Sequence, residues 1–321
     1  MRILTWVVVL LAALYSGYWF VAAKAAREGA ETALAEAGAR GIEVQHQGLD
    51  LTGFPSRFDL TLTEPKVSGD GWRWQAPFAQ VFALSYSPWK LISALPNTQH
   101  LEVAGQGIEI ASTRMQASLF LRPETALPLD RFDAVVEGAS LRGEAGWALG
   151  FASANASLIA QEGGAQAAFR MLDIVPDQRV TEALNGALPA TVARLDVLAD
   201  LGLSQPLGLR AVPAELTMIT LREAHLVWGP LKLTVAGAVV PDPQGMAEGT
   251  LDLRVEGWQQ GLAAAEAAGV VPEQFRVMLR SVLENLAAQS NEPGVLTLPL
   301  VMAQGQMRLG PLPLGPAPRL R

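Results

Sequence analysis

Residues 231–237 have the sequence LKLTVAG, and residues 250–255 have the sequence TLDLRV. In both stretches apolar and polar side chains alternate, which is the period of a β-strand with one buried face. Between them lies PDPQG, whose prolines and glycine favour a turn. The sequence therefore predicts a β-hairpin with one continuous apolar face. The residues of that face are Leu231, Leu233, Val235, Leu251, Leu253 and Val255.

The same two-residue period recurs on both sides of this hairpin. Turns that contain Gly, Pro or Asp divide most of the runs, as in an antiparallel meander. Strands are predicted at 42–45, 58–63, 78–86, 100–111, 114–121, 132–141, 146–160, 165–174, 192–201, 214–219, 221–228, 296–302 and 306–309.

Helical patterns are fewer. Strong helix formers fill residues 22–40 and stop before Gly41, a favourable C-terminal cap. A short helix is predicted within 176–188, with Asp177 near its start. Two more helices, 258–268 and 272–288, interrupt the strand pattern. In the second of these, apolar residues repeat every three or four positions and predict one buried face. They are Phe275, Met278, Leu279, Val282 and Leu286.

The N-terminal stretch from Ile3 to Ala23 contains no charged residue. As a helix it is about 31 Å long, which matches a bilayer hydrocarbon core of about 30 Å. Aromatic residues favour the membrane–water interface, and Tyr15, Tyr18 and Trp19 gather near the C-terminal end of the stretch. The alternative is a signal peptide cleaved after Ala23. The apolar stretch exceeds the roughly 7–15 residues of a signal core, so an uncleaved anchor is favoured. Both alternatives export the rest of the chain.

Composition excludes several functional classes. The 321 residues include 31 acidic and 24 basic side chains, a formal charge of −7, so no positive field favours nucleic acid. The chain has no cysteine, which excludes disulfides, a thiolate nucleophile and cysteine-ligated metals.

No catalytic, cofactor-binding or metal-binding residue is predicted. The histidines His46, His100 and His225 lie in separate predicted strands without a metal-binding spacing. Residues 87–90, SPWK, match the Ser-x-x-Lys spacing of penicillin-binding enzymes but lack the companion motifs, so a turn is favoured. The chain is therefore predicted not to be an enzyme.

Two aromatic stretches remain. Trp72 and Trp74 alternate on one strand and share a face. That face belongs to the core, which is the favoured alternative, or it lines an apolar groove or lies near lipid headgroups. Residues 53–58, GFPSRF, predict a structural corner. Gly53 permits an unusual backbone angle there, the two phenylalanines can pack together, and Arg57 can meet Asp59.

Four stretches that follow the predicted anchor carry a family resemblance. They are GFPSRF at 53–58, SPWK at 87–90, WGPLKLTVAGAV at 228–239 and RLGPLPLG at 308–315. With the anchor, they resemble the alphaproteobacterial family known as domain of unknown function 2125. That family is similar to the AsmA-like envelope proteins of Gram-negative bacteria, which present β-rich periplasmic domains from the inner membrane. The resemblance brings no catalytic residue.

What the resemblance implies is a location and a role. A curved sheet would shelter acyl chains on a concave apolar face, with Trp72, Trp74 and the six apolar residues of the hairpin as candidate lining. The predicted partners are the inner membrane, a phospholipid or other envelope lipid, and envelope proteins.

The expected fold is α+β and strand-dominated: an N-terminal transmembrane helix, then a long curved antiparallel sheet in two halves with a few packed helices. The expected segments are an anchor at 1–23, a juxtamembrane helix at 24–41, and β-rich halves at 42–175 and 176–321, the second with a helical insertion at 258–288. The expected function is non-enzymatic envelope maintenance from the inner membrane, with the domain in the periplasm and lipid as ligand. The alternatives are an assembly factor that binds envelope proteins without lipid and, less favoured, an exported hydrolase.

Overall fold

The computed structural model describes residues 2–209, 213–288, 292, 294–310 and 312–320. Within these ranges, every strand belongs to one open antiparallel sheet, and a few helices flank it. The strand-dominated α+β fold predicted from the sequence is thereby confirmed. The helices are α1 (Arg2–Ala39), α2 (Gln178–Ala183), α3 (Trp258–Ala267) and α4 (Glu273–Ala288). The strands are β1 (Glu43–Gln45), β2 (Gly48–Thr52), β3 (Arg57–Thr63), β4 (Lys66–Gly69), β5 (Trp72–Gln75), β6 (Phe78–Leu84), β7 (Ser87–Leu95), β8 (Thr98–Val103), β9 (Gln106–Ala111), β10 (Arg114–Leu121), β11 (Leu129–Gly143), β12 (Ala148–Gln161), β13 (Gly164–Ile174), β14 (Val192–Leu203), β15 (Leu216–Trp228), β16 (Leu231–Pro241), β17 (Ala247–Glu256), β18 (Val295–Ala303), β19 (Gln306–Leu309) and β20 (Leu312–Pro316).

Helix α1 combines the predicted anchor and the predicted juxtamembrane helix in one continuous element. It is long and apolar enough to cross a membrane, and few of its residues are buried inside the protein. It ends shortly before Gly41, whose φ of 83° lies in the left-handed region that favours glycine.

The first part of the sheet is divided by a crease. Each of its long strands is interrupted for two residues, which separates β1 from β2, β3 from β4, β5 from β6, β7 from β8, and β9 from β10. The interruptions align across the sheet, and hydrogen bonds such as Glu64 N–H to Pro77 O, at 2.9 Å, connect them. Pro65, Pro96 and Gln99 are buried along this line.

The crease gives two leaves that merge at β11. One leaf, β2–β3–β6–β7–β10, pairs with residues 129–137 of β11. The other leaf, β1–β4–β5–β8–β9, pairs with residues 140–143 of the same strand. Gly138, with a φ of 55°, lies between these two segments.

From β11 to β20 each strand pairs with the next one along the chain. The predicted hairpin is confirmed, with Leu233 opposite Val255 and Val235 opposite Leu253. Strands β13 and β14 pair directly, so the sheet passes residue 175 without a break. The division into two β-rich halves, 42–175 and 176–321, stays a prediction, and the outer limits of the predicted segments, Met1 and Arg321, lie outside the described residues.

Three local predictions about the strands were wrong. Residues 87–90 begin β7 and do not form a turn. The register between β6 and β7 shifts there, which leaves Pro88 outside the ladder and accommodates its missing N–H. The run 100–111 is a hairpin that turns at Ala104 and Gly105, both with positive φ. The runs 214–219 and 221–228 form one strand, β15, with a register shift between Leu221 and Ala224.

Helices α2, α3 and α4 all lie at the same ends of the strands. The turns at 53–56, 85–86 and 162–163 lie at the opposite strand ends. The three helices cover a buried cluster that includes Leu231, Val255, Trp258 and Leu296. Helix α4 packs through Leu279, Leu283 and Leu286, whereas Phe275 and Met278, which the sequence placed on the buried face, are 46% and 52% exposed.

Candidate functional site

A continuous row of apolar residues crosses the sheet from β3 to β20. Cross-strand partners in a sheet point to the same face, so the row can be followed through the pairing registers. Its members are Phe58, Ala83, Leu91, Leu119, Phe132, Leu158, Ala167, Ala199, Leu221, Gly237, Leu251, Leu300, Leu309 and Leu312. With neighbouring strands about 4.8 Å apart, the row extends over about 60 Å.

A second row lies beside it on the same face. Its members are Leu60, Val81, Ser93, Ala117, Ala134, Ala156, Phe169, Val197, Ala224, Val235, Leu253 and Leu298. Only Ser93 among them is polar. We call these two rows together the apolar face.

The opposite face, which we call the polar face, is mixed but more polar than the apolar face. Two rows project to that side of the sheet. The row between the two apolar ones contains Asp59, Phe82, Ile92, Ser118, Asp133, Ser157, Ala168, Leu198, Glu223, Ala236, Asp252 and Pro299. The row beyond the second apolar one is mostly polar and contains Thr61, Gln80, Ala94, Gln116, Val135, Asn155, Arg170, Asp196, His225, Thr234, Arg254 and Thr297. The two faces therefore differ in polarity, most clearly along this last row.

The middle of the apolar face has no helix packed on it among the described residues. Helix α1 packs beside β1, β2 and β3, and α3 and α4 pack on β16 and β18. Between these ends, side chains such as Leu119, Phe132 and Leu158 are half-buried. A long apolar surface without a second layer needs something to cover it, because exposed apolar area costs free energy.

The predicted lining residues fall into two distant groups. Leu231 and Val255 are buried beneath the helices, and Leu233 and Leu253 pack against the same cluster. Val235 and Leu251 are half-buried nearby. Trp72 and Trp74 lie in β5, in the leaf that reaches β11 through β8 and β9. The sheet thus brings the six hairpin residues together but not the two tryptophans with them.

An open depression of about 620 Å³ lies on the polar face between β11 and β15. Within it, Asp196 accepts a hydrogen bond from the guanidinium group of Arg170, at 2.5 Å, and forms an ion pair with that of Arg194, at 2.6 Å. His225 contacts Glu223 through Nε2, at 2.6 Å, and Thr234 through Nδ1, at 3.1 Å. The charged side chains of this depression therefore engage one another.

Ion pairing is also the rule for arginines elsewhere on the sheet. Arg57 pairs with Asp59, as the sequence predicted, and Arg222 pairs with Asp200. A lipid headgroup that approached these arginines would have to compete with a carboxylate already in place.

The histidines lie in three different places: His46 between β1 and β2, His100 in β8 and His225 in β15. Within the part of the chain that the structure describes, no group of three or more histidine, aspartate and glutamate side chains could hold a metal ion.

The anchor and the GFPSRF corner meet in an aromatic cluster. Trp19 is 6% exposed, and its ring lies 5.3 Å from that of Phe54 and 5.9 Å from that of Phe58. Its indole N–H donates to the carbonyl oxygen of Arg57, at 3.0 Å. The hydroxyl of Tyr18 donates to the carbonyl oxygen of Ser85, at 2.7 Å. The sequence predicted that the two phenylalanines can pack together. In the structure, the ring of each one packs against Trp19 of the anchor, which the sequence did not predict.

The fold, the apolar face and the aromatic cluster define a class: a protein whose N-terminal helix is long and apolar enough to span a membrane and is docked on an open antiparallel sheet. The chain belongs to a family described as an uncharacterized protein conserved in bacteria, DUF2125, whose model matches residues 19–318. The family resemblance stated from the sequence is thereby confirmed. No curated protein and no solved structure matches the chain. The further similarity to AsmA-like proteins stays a prediction.

Proposed function

We propose that this protein is anchored in the bacterial inner membrane by α1, presents its sheet to the periplasm, and binds envelope lipid on the apolar face without catalysing a reaction. The observation that carries the proposal is the middle of the apolar face, which is continuous and half-buried and on which none of the described helices packs. Each methylene group of an acyl chain that leaves water for such a surface contributes about 0.8 kcal/mol.

The position of the apolar face relative to the anchor supports this proposal. The first residue of the longer row, Phe58, packs against Trp19 of α1. An acyl chain that leaves the bilayer beside α1 would therefore meet the row at its beginning. At the far end, α3 and α4 cover the face, so lipid would occupy the stretch between β6 and β15.

Site-specific photocrosslinking in cells can test lipid binding in the full-length protein. A photoreactive phenylalanine analogue at Leu158 would point to the apolar face, and the same analogue at the adjacent Ser157 would point to the polar face. Both positions are half-buried, which makes them a matched pair. We expect a phospholipid adduct, identified by mass spectrometry, at position 158 and little at position 157.

The same experiment separates the alternatives. Crosslinks from position 158 to another envelope protein, without lipid, would favour an assembly factor instead. Equal lipid adducts at both positions would indicate non-specific contact and would contradict binding on the apolar face.

A further inference from the structure

The ends of the strands beside α1 carry two uncharged stretches: the turn 53–56, and the turn 85–86 with the strand residues on either side of it. Residues 53–56, GFPS, and residues 84–89, LSYSPW, contain no acidic or basic side chain. Phe54 is 52% exposed, Tyr86 is 65% exposed and Leu84 is 37% exposed. We call these two stretches together the aromatic corner.

The contacts of α1 fix the depth of this corner relative to the bilayer. Trp19 lies four residues before Ala23, the end of the uncharged stretch, which is about 6 Å along the helix axis. Tyr15, whose hydroxyl lies 2.9 Å from Oγ of Ser85, is about 12 Å from the same end. If α1 spans the bilayer with Tyr15, Tyr18 and Trp19 at the membrane–water interface, then the groups in contact with Tyr15 and Trp19 lie at the level of that interface.

The path of the chain after Trp19 also brings the corner to this level of the helix. From Trp19 to Ala39 the helix rises about 30 Å. Residues 43–52, in β1 and β2, then return about 33 Å. They bring Phe54 back to the level of Trp19, where the two rings meet. The sheet therefore stands beside the helix with the aromatic corner at its membrane end.

Several backbone groups of the corner have partners within the protein, which lowers the cost of moving it out of water. The N–H of Arg57 donates to Gly53 O, and the N–H of Ser85 donates to Ser56 O, at 2.9 and 3.0 Å. The carbonyl oxygens of Arg57 and Ser85 accept from Trp19 and Tyr18 of the anchor. Pro55 has no N–H to satisfy.

We infer that the aromatic corner is inserted into the lipid interface of the same bilayer that α1 spans. Phe54, Leu84 and Tyr86 face lipid, and the domain is attached to the membrane surface in a fixed orientation. Aromatic residues with an apolar body and a polar tip prefer this interfacial layer. The inference rests on the proposed anchoring of α1, but it adds a second membrane contact made by the sheet itself.

The test uses the absence of cysteine in the natural chain. Single cysteines are introduced by Tyr86→Cys or Pro88→Cys at the corner, and by Asp70→Cys in a turn at the opposite ends of the strands. Glu162 is exposed and lies at the same strand ends as the corner but several strands away, so Glu162→Cys gives a further control. Each full-length variant is labelled with an environment-sensitive fluorophore and reconstituted into phosphatidylethanolamine–phosphatidylglycerol vesicles.

The expected result is a shift to shorter emission wavelength for the labels at positions 86 and 88, with quenching by lipids that carry a shallow quencher. The labels at 70 and 162 are expected to behave as they do in water. If the protein floats with the vesicles but all four labels remain water-like, membrane insertion of the corner is wrong, although the anchor is not. If the protein does not float with vesicles, the anchor itself is wrong, and the inference fails with it.

Discussion

Asp177 shows on the scale of a single residue how a helix is attached to the sheet. Its carboxylate accepts hydrogen bonds from the backbone N–H of Arg179 and the backbone N–H of Ala148, at 2.9 and 2.7 Å. It also accepts from the guanidinium group of Arg179, at 2.8 Å. These bonds stabilise the ionised carboxylate and lower its pKa from 3.8 to about 2, with the Arg179 side chain as the largest cause.

The substitution Asp177→Asn should therefore change how stability depends on pH. A carboxyl group whose pKa is lower in the folded state stabilises the protein at pH values above its ordinary pKa, near 3.8. This stabilisation is lost as the pH falls from about 4 towards about 2. Asparagine caps helices well, so the variant removes the charge and retains the cap. In thermal unfolding, we expect a lower midpoint for Asp177→Asn at pH 6, and a much smaller difference near pH 2.

The control is Asp70→Asn, an equal loss of charge at an exposed turn. A difference from the natural protein that was the same at pH 6 and pH 2 would contradict the role of the Asp177 carboxylate. The sequence identified Asp177 as a helix start, because acidic residues favour that position. It could not identify Ala148, because that contact depends on the pairing of distant strands.

At the scale of elements, strands were predicted better than the breaks within them. The hairpin of β16 and β17 follows from alternation in each strand alone, and the structure confirms its register. The crease depends on five interruptions that align only when the strands pair. Proline marks several of them, at positions 65, 77 and 96. Because a proline near a strand end also occurs in ordinary turns, the sequence did not reveal that these positions form one line.

The apolar face was predictable only in part for the same reason. Alternation identified which residues of each strand share a face. It did not show that Phe132 and Leu158 are opposite one another, or that α3 and α4 cover Leu231 and Val255. The candidate lining chosen from the hairpin therefore lies largely beneath helices, whereas the uncovered stretch lies several strands earlier.

The docking of α1 on the sheet gives a prediction at this scale. Trp19→Ala removes a buried ring and the hydrogen bond to the carbonyl oxygen of Arg57. Loss of a buried tryptophan ring typically costs about 3–5 kcal/mol. We expect a clearly lower thermal midpoint of the sheet, measured by circular dichroism of the full-length protein in detergent.

Trp6→Ala is the matched control, because Trp6 lies on the same helix but is 74% exposed. It should leave the midpoint of the sheet nearly unchanged. Equal midpoints for Trp19→Ala and the natural protein would show that α1 and the sheet are energetically independent.

On the scale of the whole molecule, the two ends of the strands differ in what lies beside them. Helices α2, α3 and α4 lie at one end, and the aromatic corner lies at the other end, beside the apolar half of α1. The sequence predicted both the anchor and the sheet. Their relative orientation was not predictable, because it is fixed by contacts between residues separated by up to 70 positions, such as Tyr15 and Ser85.

This arrangement favours an uncleaved anchor over a signal peptide. Cleavage after Ala23 would remove Tyr15, Tyr18 and Trp19 together. It would leave the carbonyl oxygens of Arg57 and Ser85 without the partners that they have in the structure, and it would expose Phe58, which is 6% exposed. Unpaired buried polar groups and exposed aromatic surface both cost free energy. We therefore expect intact-mass measurement of the protein purified from bacterial membranes to show that residues 1–23 are retained.

A reporter fused after Arg321 tests the side of the membrane in the same cells. A phosphatase that is active only in the periplasm should be active on the full-length protein and inactive when residues 1–23 are deleted. Activity together with a mature N-terminus at Lys24 would mean that the segment is a cleaved signal peptide, and the docking of Trp19 would then have no role in the mature protein. An inactive reporter on an intact, membrane-bound chain would place the sheet in the cytoplasm, and the apolar face would have to serve a ligand there.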